Sequence, residues 1–83
     1  MLYVLDPGPM CAPRRFVGDE APAVADLERT TSPWARLYRL HVGEGSNVVQ
    51  ARARRAGKWE SISTHGLSFK VLEGLGLAPM TAR

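Results

Sequence analysis

Nine of the eleven basic residues in this chain of 83 are arginines, and their placement is its first chemical signal. Arginine offers a planar, permanently charged fork that suits carboxylates, phosphates and aromatic faces. Residues 34–60 hold Arg36, Arg39, Arg52, Arg54, Arg55 and Lys58 against only Glu44 and Glu60. Residues 1–33 hold Arg14, Arg15 and Arg29 against Asp6, Asp19, Glu20, Asp26 and Glu28. The net charge of +3 is therefore a basic middle behind an acidic first third. Read as a strand, Gln50, Arg52 and Arg54 share one face, with Val49, Ala51 and Ala53 on the other. Arg36 or Arg39 on a neighbouring strand can sit beside them. Lys58 extends the set, and Trp59 or Tyr38 supplies an aromatic wall. Such a basic surface on the open side of a sheet has three uses. It can hold phosphates with bases stacked on its aromatics. It can dock on an acidic protein surface, where Arg, Trp and Tyr are favoured anchors. It can also be a solvated face whose charges deter edge aggregation. The aromatic-rich central strands of the common RNA-binding sheet are absent, which argues against sequence-specific RNA binding.

Other reactive side chains carry less. Cys11 lies in a proline-rich stretch with Arg14 three residues on, and its spacing to His41 and His65 marks no nucleophile and base pair. One cysteine and two separated histidines fall short of a zinc set, so neither metal nor cofactor is expected. Gly43-Glu44-Gly45 and Gly74-Leu75-Gly76 lack the spacing of a phosphate-binding loop and read as turns. No pair of carboxylates has an acid and base pattern. The reading is a binding protein, not an enzyme.

The elements that must position the arginines follow from pattern. Leu2–Leu5 reads as a strand stopped by Asp6-Pro7-Gly8-Pro9, and residues 7–13 form a proline-rich loop. Residues 14–17 are either a second short strand or simply extended. A helix opens at Asp19, with Pro22 in its first turn and Ala23, Val24 and Leu27 on one face; Ser32-Pro33 stops it. Residues 34–42 form the clearest strand, with a bulge near Leu37-Tyr38 to bring Arg36 and Arg39 to one face. Residues 43–47 make a hairpin loop, residues 48–55 the return strand and residues 58–63 a third strand holding Trp59 and Ile62. Alanines at inward positions leave room for a helix to lie close. Ser63, Thr64 or Ser68 caps a last helix with Leu67, Val71 and Leu75 in register, and Gly74 or Gly76 ends it. Residues 79–83 are a loose tail. The expected fold is α+β, a two-layer sandwich in which a three- to four-stranded antiparallel sheet carries its helices on one face.

The length allows one small domain over residues 1–83, with a thin core. A composition of 45% hydrophobic and 23% charged residues excludes collagen-like, coiled-coil and wholly disordered chains. No apolar stretch approaches the roughly 20 residues that span a bilayer. The first residues lack the basic start and apolar middle of a secretory signal. A lone cysteine favours a reducing compartment, so a cytoplasmic location is expected.

In size and layout the chain resembles the small anti-CRISPR proteins that mobile elements carry against type I systems. The resemblance runs over roughly residues 1–62. It rests on the Leu2-Tyr3-Val4-Leu5-Asp6-Pro7 strand and stop, one helix and Leu37-Tyr38-Arg39. A Gly-rich hairpin and Val48-Val49-Gln50-Ala51 leading into Gly57-Lys58-Trp59 complete it. The helix from Leu67 lies outside it. What the resemblance implies is a non-catalytic inhibitor that binds a Cas complex and blocks DNA recognition or nuclease recruitment. Many such proteins mimic DNA with acidic surfaces. This basic chain would instead meet acidic protein, a Cas subunit for example, or bridge to nucleic acid. The contact residues expected are Arg36, Arg39, Arg52, Arg54, Lys58 and Trp59. A small basic nucleic-acid-binding accessory or regulatory protein is the alternative reading. Either role is compatible with a monomer or a homodimer, since exposed strand edges invite pairing.

Overall fold

The computed structural model describes residues 1–8, 11–43, 46–55 and 57–77. Five strands form one antiparallel sheet: β1 (Leu2–Asp6), β2 (Arg14–Val17), β3 (Arg36–Gly43), β4 (Ser46–Ala53) and β5 (Glu60–Ile62). Their spatial order is β2-β1-β3-β4-β5. Helix α1 (Glu20–Arg29) lies between β2 and β3 in the chain. A 3₁₀ turn over Thr64–Gly66 precedes helix α2 (Phe69–Gly74). The α+β class and the β3-β4-β5 meander are as the sequence predicts. The sheet exceeds the expected three to four strands because residues 14–17 pair with β1, from Leu2 opposite Val17 to Leu5 opposite Arg14.

Strand β1 explains how the layers are arranged. Its apolar run has no polar alternation, and Tyr3, Val4 and Leu5 are all buried. Tyr3 and Leu5 point to one face and Val4 to the other, so both faces must be covered. Helix α1 covers the first: Ala23 and Leu27 pack with Tyr3, Leu5, Ala35 and Leu37, and Phe16, Val24 and Trp59 border them. Helix α2 covers part of the second, where Val71 and Leu75 pack with Val4 and Val49 beside Tyr38, Leu40 and Ile62. The two helices thus lie on opposite sides of the sheet, and the expectation that they share a face is corrected for α2.

Both helices show why they start and stop. Asp19 takes an extended conformation ahead of α1 without a side-chain cap. Glu20 in its first turn and Arg29 in its last suit the helix dipole. Thr30 closes it, its N–H donating to Asp26 and Leu27 carbonyls and its hydroxyl to the Asp26 carbonyl at 2.9 Å. Ser63 Oγ accepts from His65 N–H before the 3₁₀ turn, and Ser68 Oγ accepts from Val71 N–H at the start of α2. Helix α2 therefore begins at Phe69, with Leu67 in the preceding turn. Gly76, at φ +79°, ends it: Leu77 N–H donates to Leu72 O at 2.8 Å and Gly76 N–H to Glu73 O at 3.0 Å, a Schellman arrangement. Gly74 has a different duty. A Cβ there would lie 2.9 Å from Val4 Cγ2, so the absent side chain lets α2 press on β1.

The β3-β4 register is regular from Arg36 opposite Ala53 to Gly43 opposite Ser46. The expected bulge at Leu37-Tyr38 is not there, and Arg36 and Arg39 point to opposite faces. The third meander strand is shorter than residues 58–63, because Lys58 and Trp59 belong to the turn before β5. The tip of the 43–47 hairpin, part of the 7–13 loop and the 79–83 tail lie outside the described residues.

Candidate binding surface

Register places the arginines before any side chain is considered. Tyr3 stands opposite Arg39, and Arg39 opposite Gln50; Leu5 stands opposite Leu37, and Leu37 opposite Arg52. Partners in an antiparallel pair share a face, so Arg39, Gln50 and Arg52 lie on the side covered by α1. The expected basic stripe is therefore not on the open side of the sheet, and the alanines face away from α1.

Acidic residues of α1 occupy that stripe. Arg39 Nη1 meets Glu20 Oε1 at 3.1 Å, and its Nε donates to Gln50 Oε1 at 2.8 Å. The same guanidinium lies 4.2 Å above the Trp59 ring. Trp59 Nε1 donates to Glu20 Oε2 at 3.4 Å, and its ring sits 6.1 Å from that of Tyr3. Trp59 is thereby locked into a structural knot and is no free aromatic wall. Arg52 pairs with Glu28 Oε2 at 3.7 Å; its side chain is only 14% exposed, and its buried Nε has no hydrogen-bond partner. At the edge of the layer Arg14 pairs with Asp26 at 3.1 Å.

The remaining expected contacts behave differently. Arg54 Nε donates to the Glu28 carbonyl at 3.2 Å, a backbone contact that fixes the guanidinium without cancelling its charge. Arg36, on the opposite face, is held the same way: its Nη1 donates to the Pro33 and Ala35 carbonyls at 3.2 and 2.8 Å. Arg36 and Lys58 line a shallow groove whose floor includes Ala51, Ala53 and Ile62, with Glu60 on its rim. Arg36, Arg54, Arg55 and Lys58 have no ion pair among the described residues. Since Arg36 is opposite Ala53, all four sit at one end of the β3-β4-β5 meander. The structure thus divides the six expected contacts. Arg39, Arg52 and Trp59 are tied into the α1 layer, while Arg36, Arg54 and Lys58 meet at the sheet end.

Two residues of that end were not among the expected contacts. Arg55 is exposed and takes φ +64°, left-handed for a residue with a Cβ, while its N–H donates to Glu28 Oε2 at 3.0 Å. Trp34, two residues before Arg36, is 66% exposed. The expected strand start at residue 34 is corrected: β3 begins at Arg36, and Trp34 lies in the turn after Ser32-Pro33. The signal for the covered stripe was the spacing of Glu20 and Glu28, eight residues apart and thus on one helix face.

Tyr38 lies between the two zones on the α2 face. Burial, and then the Asp6 carboxylate, push its phenol above the usual range, and Arg36 pulls it partly back. Cys11 is exposed beside Asp6, Ser68 and Lys70, and neither histidine lines that cleft. Among the described residues no three His, Cys, Asp or Glu side chains gather as metal ligands, and no helix is long and apolar enough to cross a membrane. Family models, characterised proteins and solved structures yield no match to this chain.

Proposed function

We propose that this chain is a non-catalytic binding protein that inhibits a host complex by occupying one of its surfaces. The target proposed is a type I CRISPR–Cas effector in a bacterial cytoplasm, in keeping with the layout resemblance to anti-CRISPR proteins. One observation supports the reading above the others: cations with no side-chain ion pair among the described residues collect at one end of the sheet. Arg36 and Arg54 are anchored there by carbonyls, with Arg55 and Lys58 beside them. Guanidiniums held by carbonyls suit a surface that recognises anionic groups, because little side-chain freedom remains to be lost on binding. The covered arginines Arg39 and Arg52 serve the fold in this reading, not the contact.

Phage plaquing on hosts with type I systems and a matching spacer tests it. Expression of the protein is expected to restore plaquing in a susceptible host. Paired charge reversal R54E/K58E is expected to abolish that relief, while R15E/K70E, of equal charge change, retains it. Undiminished interference across the type I hosts, with folded protein present, removes the proposal.

A further inference from the structure

The cationic sheet end has an aromatic neighbour, and together they specify a ligand chemistry. Trp34 leaves most of its ring in solvent, although tryptophan is normally well buried. Its nearest anchored cation is Arg36, two residues on along the chain. Arg36 stands opposite Ala53, so Arg54 and Arg55 begin one residue further along. Lys58 lines the same groove as Arg36, Ala51 and Ala53. Neighbouring strands are about 4.8 Å apart, so the ends of β3, β4 and β5 form a strip of about 10 Å. Asp6 stands opposite Arg36 in the β1-β3 register and accepts from the Gly8 N–H at 3.1 Å, and Glu60 lines the groove with Arg36 and Lys58.

We infer that Trp34, Arg36, Arg54, Arg55 and Lys58 form a contact strip for single-stranded nucleic acid. Phosphates lie on the cations and one unpaired base stacks on Trp34. The inference rests on the binding reading above and names what that surface grips. Carbonyl anchoring orients Arg36 and Arg54 without neutralising them, which is what a polyanion requires. A duplex keeps its bases stacked inside, so an exposed indole adds affinity only for unpaired strands. The strip has no base-edge code, so it tolerates any sequence. Trp59 cannot take the stacking role, because Arg39 covers one side of its ring and Glu20 holds its N–H.

The probe is a fluorescein-labelled oligothymidylate of about 20 nucleotides, a length sufficient for one such site. Anisotropy is read between about 50 and about 200 mM NaCl, and tryptophan emission in parallel. Four phosphate contacts on a single strand predict a log–log salt slope of about −3. Trp34 emission is expected to quench on binding, and Trp34→Ala to weaken binding by roughly tenfold and remove the quench. R54E/K58E is expected to weaken binding by more than about tenfold. R15E/K70E, with the same net charge, serves as the control and is expected to stay near wild type; circular dichroism verifies folding of each variant.

Equal losses in both paired variants would reduce the effect to net charge and overturn the strip. Binding without a change in tryptophan emission, or a duplex preferred over the single strand, would overturn the stacking contact. Absence of binding at the lowest salt overturns the inference outright. If plaquing relief persists in that case, the inhibitor reading stands and the surface belongs to an acidic protein. Oligonucleotide binding without plaquing relief has the opposite meaning: the strip stands and the inhibitor reading falls.

Discussion

The two faces of this sheet are closed by different physics. On one, α1 brings two fully buried residues, Ala23 and Leu27, and completes its seat with carboxylates set on the arginines of β3 and β4. On the other, the six-residue α2 has no ion pair among the described residues and docks through Val71 and Leu75, with Gly74 against Val4. The first contact is wide and polar at its margins. The second is small, apolar and dependent on close approach. An arginine means opposite things in the two settings. Beneath α1 it is paired with a helix carboxylate, although Arg52 Nε has no hydrogen-bond partner; at the sheet end Arg36 and Arg54 are held by carbonyls and have no ion pair among the described residues.

The largest effect that sharpens this contrast comes from Gly74. Replacing a helical glycine by alanine ordinarily stabilises by about 1 kcal/mol. Here the new methyl group meets Val4 Cγ2 at 2.9 Å, and Val4 is fully buried and stiff about χ1. Overpacking costs about 1–3 kcal/mol, so the clash outweighs the propensity gain. Gly74→Ala is expected to destabilise by up to about 2 kcal/mol in urea denaturation, with no dependence on salt. A variant as stable as wild type would show that α2 is free to ride away from β1.

The α1 face should respond to salt instead. Replacing Glu20 and Glu28 together with glutamine removes the partners of Arg39 and Arg52. Both carboxylates are more than a third exposed, which discounts their worth, so a loss of about 1 kcal/mol at low salt is expected. The gap between wild type and E20Q/E28Q should narrow as salt rises, because screening removes from the wild type what the variant already lacks. A gap that stays constant would show that these contacts act by packing and hydrogen bonding, not by charge.

How much of this was legible in sequence depends on which signal the chain carries. Ala23, Val24 and Leu27 announced α1 by spacing, and Val49 to Arg54 announced their alternation correctly. What alternation does not say is which set a helix will cover. Small alanines suggested the inward side, but β1 and β3 decide it: Tyr3, Leu5 and Leu37 are the bulky residues, and register puts Arg39 and Arg52 in line with them. Arginine stems can lie along apolar surface while their heads reach carboxylates, so the basic set went under the helix. The three-residue spacing of Arg36 and Arg39 forbids a shared face of a regular strand, and the unbroken β3-β4 register keeps them on opposite faces. The non-alternating Leu2-Tyr3-Val4-Leu5 run was the available sign of a sheet covered on both sides.

The smallest expected effect tests whether the free charge at the sheet end is felt inside the molecule. The Tyr38 phenol titrates above its usual value of about 10, first because it is buried, then because of Asp6, with Arg36 opposing both. A phenol that holds its proton more tightly in the folded state stabilises fully below its unfolded pKa, and this stability is lost as pH rises through the folded one. Alkaline destabilisation that begins near pH 10 should therefore be smaller in Tyr38→Phe than in wild type. Arg36→Ala should move the Tyr38 titration further up, because the cation that favours phenolate is gone. An anion seated on Arg36 should act in the same direction, for it offsets the same charge. Ultraviolet titration of a Tyr3→Phe background, with and without oligodeoxyadenylate, whose bases do not ionise in the range where the phenol titrates, reads this shift. An unchanged midpoint in the saturated complex would mean that the ligand leaves the Arg36 guanidinium alone, and the contact strip would then begin at Arg54.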